Sequence, residues 1–170
     1  MDDSLEDIQK AVQVLKNLQP GKLPLPIFLE TTRLTVTPIV EIVPLRKYNN
    51  AIEVLLTKRE NDDPNWAGMY HTPGTVIRAS DTEGSYDDAF NRILEGELKG
   101  TITKSPVFVT SILHKVKRGM ESSLIFWVEV TCEPLTGEFY DSNHLPESLI
   151  DTQIKFINIA IEDFKKINVD

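Results

Sequence analysis

Two apolar runs, residues 39–45 and 52–57, flank the turn-forming tetrapeptide Lys47-Tyr48-Asn49-Asn50. Such runs on either side of a turn predict an antiparallel hairpin, which makes a sheet the centre of whatever this chain folds into. Helical periodicity brackets it. Leu5, Ile8, Val12, Leu15 and Leu18 make one apolar stripe behind a Ser4 cap with Asp7 three residues on. Pro20-Gly21 ends that helix, and Pro24 and Pro26 predict an extended linker over 22–26. At the other end, Ile150, Ile154, Ile157, Ile161 and Phe164 repeat along a second helix over 149–167. Between them, 85–98 reads as a helix and 107–113 and 124–131 as strands. Strands before and after a central helix, closed by a final helix, argue for one α/β (α+β) layered domain. Residues 1–27 form an N-terminal helix and linker, and 28–170 the domain proper. The first helix packs on the domain or on a second copy of the chain, so a homodimer is one expectation.

Composition supports a single core. The 170 residues are 41% hydrophobic and include seven Phe, four Tyr and two Trp, enough apolar mass to exclude disorder for most of the chain. One cysteine, Cys132, rules out an intramolecular disulfide framework and fits a reducing compartment. No apolar run approaches the roughly 20 residues that span a bilayer, so no membrane role is expected. The acidic start, Met1-Asp2-Asp3-Ser4-Leu5-Glu6-Asp7, lacks the basic region of a secretory signal. A cytoplasmic location is the expectation. A net charge of -8 argues against general nucleic-acid binding, which depends on clustered basic side chains.

Residues 52–100 carry a motif-like arrangement. Val54-Leu55-Leu56-Thr57-Lys58-Arg59 is a strand ending in an arginine, and Asn65-Trp66-Ala67-Gly68-Met69-Tyr70 is a Trp-containing loop. Pro73-Gly74-Thr75 forms a turn, and Ser85-Tyr86-Asp87-Asp88-Ala89-Phe90-Asn91-Arg92 a helix entry. In that order these segments resemble the Nudix hydrolases, whose box runs from a Gly-rich turn into a helix bearing Arg-Glu-U-x-Glu-Glu, with U an aliphatic residue. The resemblance covers roughly residues 36–164. It implies a Nudix-like α/β/α sandwich with a mixed β-sheet, here with an extra N-terminal amphipathic helix. It also implies hydrolysis of nucleoside diphosphate-linked compounds with Mg²⁺ or Mn²⁺.

The box itself departs from that pattern. Mg²⁺ takes oxygen ligands, and the family supplies them as glutamates at i, i+3 and i+4, which share one helix face. Here those positions hold Ile93, Gly96 and Glu97. Isoleucine and glycine bring no ligand, so Glu97 alone survives. The stretch from Thr75 to Ser85 is about three residues longer than the family's, and the Gly-Glu before the serine stands as Glu83-Gly84.

The resemblance assigns Glu97 and Arg92 to catalysis, and Glu97 with the displaced Glu83 to metal binding. Glu83 also reads as a solvated loop carboxylate. The resemblance assigns Arg59, Trp66 and Gly74 to the substrate. Each has a plainer reading: Arg59 as an exposed charge, Trp66 and Tyr70 as pins holding the loop to the core, and Gly74 as turn geometry. Acids recruited from beyond the box are Glu121, Glu129, Glu133 or Glu138. His71, His114 and His144 lack metal-ligand spacing and read as structural or surface residues, and Cys132 as a plain buried thiol. Two functions stay open. One is a cation-dependent hydrolase with a degraded box. The other is a non-catalytic module that binds a nucleotide-like small molecule or a protein partner and needs no cofactor.

Overall fold

A computed structural model describes residues 4–101 and 103–167. The acidic segment Met1-Asp2-Asp3 lies outside the described residues. Chain order is α1 (Leu5–Lys16), α2 (Leu25–Leu34), β1 (Val36–Tyr48), β2 (Ala51–Lys58), β3 (Tyr70–His71), β4 (Gly74–Val76), α3 (Asp87–Gly96), β5 (Val107–Val116), β6 (Gly119–Glu129), β7 (Glu138–Asp141) and α4 (Asp151–Ile167).

The hairpin forms as its sequence predicts. Asn49 and Asn50 both take positive φ, 45° and 63°, between β1 and β2. Two left-handed residues at a two-residue turn match the twist of the strands they join, and asparagine tolerates that conformation. β1 runs parallel to β6, and the other ladders are antiparallel. The sheet follows the order β3-β2-β1-β6-β5, with β7 added to β2 and β4 added to β1.

One feature of this topology builds the site. β1 pairs with β4 over Ile39–Glu41 and with β2 over Leu45–Tyr48, so the sheet forks beside residues 41–45. Helices cover both faces. α3 packs Ala89 and Ile93 on Val40, Ile42, Leu55 and Phe126, and α4 packs Phe156, Ile157, Ala160 and Phe164 on Val43, Leu45, Val54 and Trp127. Trp127 Nε1 donates to Asp163 Oδ2 at 2.9 Å, fixing α4 across the sheet. The result is the mixed-sheet α/β/α sandwich.

Four local readings change. Residues 25–34 form α2 rather than an extended linker running into a strand, because Pro24 and Pro26 sit at the helix start, where a missing N–H costs nothing. α3 begins at Asp87 rather than at residue 85, with Ser85 Oγ accepting from the Asp87 N–H at 3.2 Å just ahead of it. On α4, Ile154 is 43% exposed, and Gln153, Phe156 and Ala160 take the buried stripe. α1 is capped by Ser4 as expected, yet it buries no residue.

α2 lies against the β5–β6 turn. A Cβ at Gly119 would stand 2.0 Å from the Thr32 carbonyl oxygen, and Gly119 has φ 151°. Only glycine allows this approach.

Candidate functional site

Acidic and polar side chains converge in the fork. Glu41 enters from β1, Thr57 from the end of β2, His71 from β3 and Thr72 just after it. Gly74 opens β4, and Glu97 stands at the C-terminal cap of α3. The Gly74 N–H donates to Glu97 Oε1 at 3.3 Å, and Thr57 Oγ1 donates to Glu97 Oε2 at 3.4 Å. Thr72 Oγ1 lies 3.3 Å from Glu41 Oε2 and also contacts Gln153 of α4. A Cβ on Gly74 would come within 2.5 Å of Glu41 Oε2, so glycine is what leaves room for that carboxyl.

The electrostatics are unusual for two glutamates. Glu41 is buried, and its pKa is raised from 4.5 to about 8. Desolvation is the main cause, reinforced by Glu97 and Glu121 and opposed by Arg59 and the Thr72 hydrogen bond. Glu97 is raised to about 7, again chiefly by desolvation, with Arg59, the Gly74 N–H and Thr57 pulling it back. Burial thus favours the protonated form of both carboxyls well above the ordinary glutamate range.

His71 is buried beside them. Its Nδ1 donates to the Thr72 carbonyl at 2.8 Å, which leaves Nε2 as an acceptor 3.2 Å from Thr57 Oγ1 and 3.5 Å from Glu97 Oε2. Burial, with Arg59 nearby, pushes its pKa down to about 3. His71 is therefore neutral here.

Arg59 follows β2 and contributes a positive charge to the fork. Its backbone N–H is held by the Met69 carbonyl, and its buried Nε has no hydrogen-bond partner. The guanidinium lies 5.9 Å from the Trp66 ring centre, and that of Arg118 lies 5.2 Å from the same ring. Trp66 is only 8% exposed. Its loop is anchored by Asp63 Oδ1, which accepts from the Asn65 and Trp66 N–H groups at 2.9 Å. Trp66 thus sits in the core end of the loop, and its face is used by two arginines. Tyr70 packs edge-on against Tyr140, 5.3 Å away.

The remaining expected residues separate. Arg92 is taken up by the lengthened loop. It gives Asp81 two hydrogen bonds, at 2.6 and 2.8 Å, and the Val76 carbonyl a third at 3.0 Å. Glu83 is exposed before α3, whereas Glu97 caps the far end of that helix. Ten helical residues put about 15 Å of axis between the two ends. Ile93 is 1% exposed in the core.

Of the distal acids, only Glu121 reaches the fork, through its effect on Glu41. It is buried and paired with Arg118 at 2.6 Å and with His114 at 3.9 Å. Glu129 pairs with Lys104, Glu133 with Arg46, and Glu138 accepts from the Tyr140 hydroxyl. Cys132 is half-buried. Among the described residues, no group of three or more His, Cys, Asp or Glu side chains is arranged to hold a metal ion.

Sequence reasoning missed Glu41 and His71. Glu41 is the one acid in an otherwise apolar strand, Ile39-Val40-Glu41-Ile42-Val43. A charge in a buried-strand pattern was the available signal.

No family model and no curated protein matches the sequence. Solved structures do match. The NUDIX domain of Shewanella oneidensis NrtR, complexed with ADP ribose, superposes with a TM-score of 0.59 at 15% identity, over 90% of this chain and 97% of that one. A mutT/nudix family protein from Listeria innocua gives a TM-score of 0.60 at 18% identity, over 78% and 97%. The C. elegans Ap4A hydrolase gives 0.54 at 14%, over 76% and 98%. The chain has a Nudix fold.

Proposed function

We propose that this chain is a Nudix-fold binding module for a nucleotide-like anion, held at the fork beside Glu97 and Arg59 without a divalent cation. The carrying observation is the box helix. Of the three motif positions that would carry carboxylates, Ile93, Gly96 and Glu97, only Glu97 does, and Ile93 is sealed in the core. Arg59 is cationic, and its guanidinium is held only loosely, by Asp63 at 3.8 Å, which leaves it able to meet a phosphate. A protonated Glu97 adds an O–H donor beside it, and a carboxylic acid kept neutral by burial can serve an anion in this way. Two of the matched structures are a NUDIX domain complexed with ADP ribose and an Ap4A hydrolase, which makes those two compounds the natural probes. Residues 1–27 are an appended segment on the domain of 28–170, and the protein works in the cytoplasm as a monomer or homodimer.

One observation favours a second reading. Glu41 on β1 and Glu97 at the end of α3 each raise no barrier to a cation that would displace the proton burial keeps on them. In that reading Glu97, with Glu41 and a recruited Glu121, would hold Mg²⁺ or Mn²⁺, which would supply polarisation of a diphosphate toward water; Glu83, at the other end of α3, stands too far away to join them. Calorimetry with ADP-ribose and Ap4A, in chelator and then in Mg²⁺ or Mn²⁺, separates the two, with product analysis on the same samples. Metal-free binding with no turnover supports the module. Cation-dependent release of nucleoside monophosphate, abolished in Glu97→Gln, establishes the hydrolase.

A further inference from the structure

A second groove lies away from the fork. It has a volume of about 490 Å³ and lies between α2, the start of β1, and β4 with the loop that follows it. Neither Glu41, His71, Glu97 nor Arg59 lines it. Its walls come from the two segments that depart from the Nudix pattern. One is the α1–α2 linker with α2; the other is the lengthened stretch after Thr75. These segments meet directly, because a Cβ on Gly21 would stand 3.5 Å from Ser80 Oγ.

The chemistry of the walls is specific. Leu25 and Val36 are 55% and 50% exposed at the rim, and Phe28 and Ile77 line the interior. Among the described residues, the charged ones that line the groove are Lys22 and Arg78, both cations in a chain of net charge -8. Thr31 and Thr32 spend their hydroxyls on the Ile27 and Leu29 carbonyls of their own helix. Thr37 does not. It is 4% exposed and lines the groove, and its Oγ1 has no hydrogen-bond partner. An unsatisfied buried hydroxyl is costly, and this one belongs to a residue of the groove wall.

We infer that this groove is a second binding site, for a small molecule with an apolar body and one anionic head, of the fatty or aryl carboxylate class. The apolar body lies along Phe28 and Ile77, and the head meets Lys22 and Arg78. A groove of this volume is in the range of small-molecule sites, which are mostly apolar with a few placed polar groups.

The test is calorimetric titration of the full chain with octanoate and, separately, with 1-octanol. Octanoate is expected to bind at one site per chain and at least about tenfold more tightly than the alcohol. Lys22→Ala with Arg78→Ala should erase that preference. Thr31→Trp, at an exposed helix position on the groove wall, should abolish octanoate binding without changing the fold by circular dichroism. Thr31→Trp should also leave ADP-ribose binding at the fork as it is in the unmodified chain. Octanoate that fails to bind, or that binds the Thr31→Trp or the Lys22→Ala/Arg78→Ala variant as tightly as the unmodified chain, overturns the assignment. So does a dimer in sedimentation that Thr31→Trp converts to monomer, since the groove would then belong to a second copy.

Discussion

Substituting Glu41 with glutamine tests the electrostatics of the fork from a side that needs no ligand. Glu41 is buried, and its pKa stands at about 8 against 4.5 for an ordinary glutamate. The folded protein therefore holds a proton that the unfolded chain releases between those values. The stability this proton confers is intact below pH 4.5, declines as pH rises, and is gone by about pH 8. A carboxyl raised that far corresponds to about 5 kcal/mol at the alkaline end. Glutamine keeps the shape and the acceptor for Thr72 and never ionises. At pH 5, Glu41→Gln should match the unmodified protein within about 1 kcal/mol. At pH 9 it should be more stable by several kcal/mol, which for a chain this long raises Tm by at least about 5 °C. Thermal and urea melts at the two pH values measure this. His71, held down to about 3 by burial, acts in the opposite direction, costing stability below pH 6.5, but it is common to both proteins and cancels in the comparison. A variant that is no more stable at pH 9 than the unmodified chain would refute the picture of a buried, protonated Glu41.

Three further substitutions probe the surrounding structure. Ile93→Glu places a carboxylate in the core and should cost at least about 3 kcal/mol in urea melts, whereas Gly96→Glu, at an open helical site, should gain about 0.5–1 kcal/mol. Arg92→Ala removes the three hydrogen bonds that brace the lengthened loop and should cost about 1–3 kcal/mol; a double-mutant cycle with Asp81→Asn should show that most of this is shared. Gly119→Ala sets a methyl against the Thr32 carbonyl and should cost at least about 2 kcal/mol, with α2 amides losing hydrogen-exchange protection before those of β6.

The parts of the fold that sequence made legible are those governed by short-range rules. The Asn49-Asn50 turn, the flanking strands and the existence of α3 and α4 follow from turn chemistry and periodicity. α2 was hidden because its two prolines read as linker, although one turn of helix tolerates them. In the site, Glu97 and Arg59 were visible from motif position alone. Glu41 and His71 were not, since what brings them to Glu97 is the fork made when β2 and β4 share one edge of β1. That is a long-range event with no local signature. Arg92 shows the converse: its motif position was plain, but the lengthened loop supplied Asp81 as a partner.

The binding reading and the hydrolase reading predict opposite responses to pH. If the ligand is an anion taken up by Arg59 and a protonated Glu97, metal-free ADP-ribose affinity should be highest near pH 6. It should fall by at least about tenfold by pH 8.5, as Glu97 ionises through its value of about 7. If the fork is a cation site, deprotonation creates it, and affinity should appear only with Mg²⁺ or Mn²⁺ and strengthen as pH rises. Calorimetric titration of ADP-ribose from pH 6 to 8.5, with and without Mg²⁺, makes the measurement. Metal-independent binding that weakens with pH is the predicted result; metal-dependent binding that tightens with pH would contradict it.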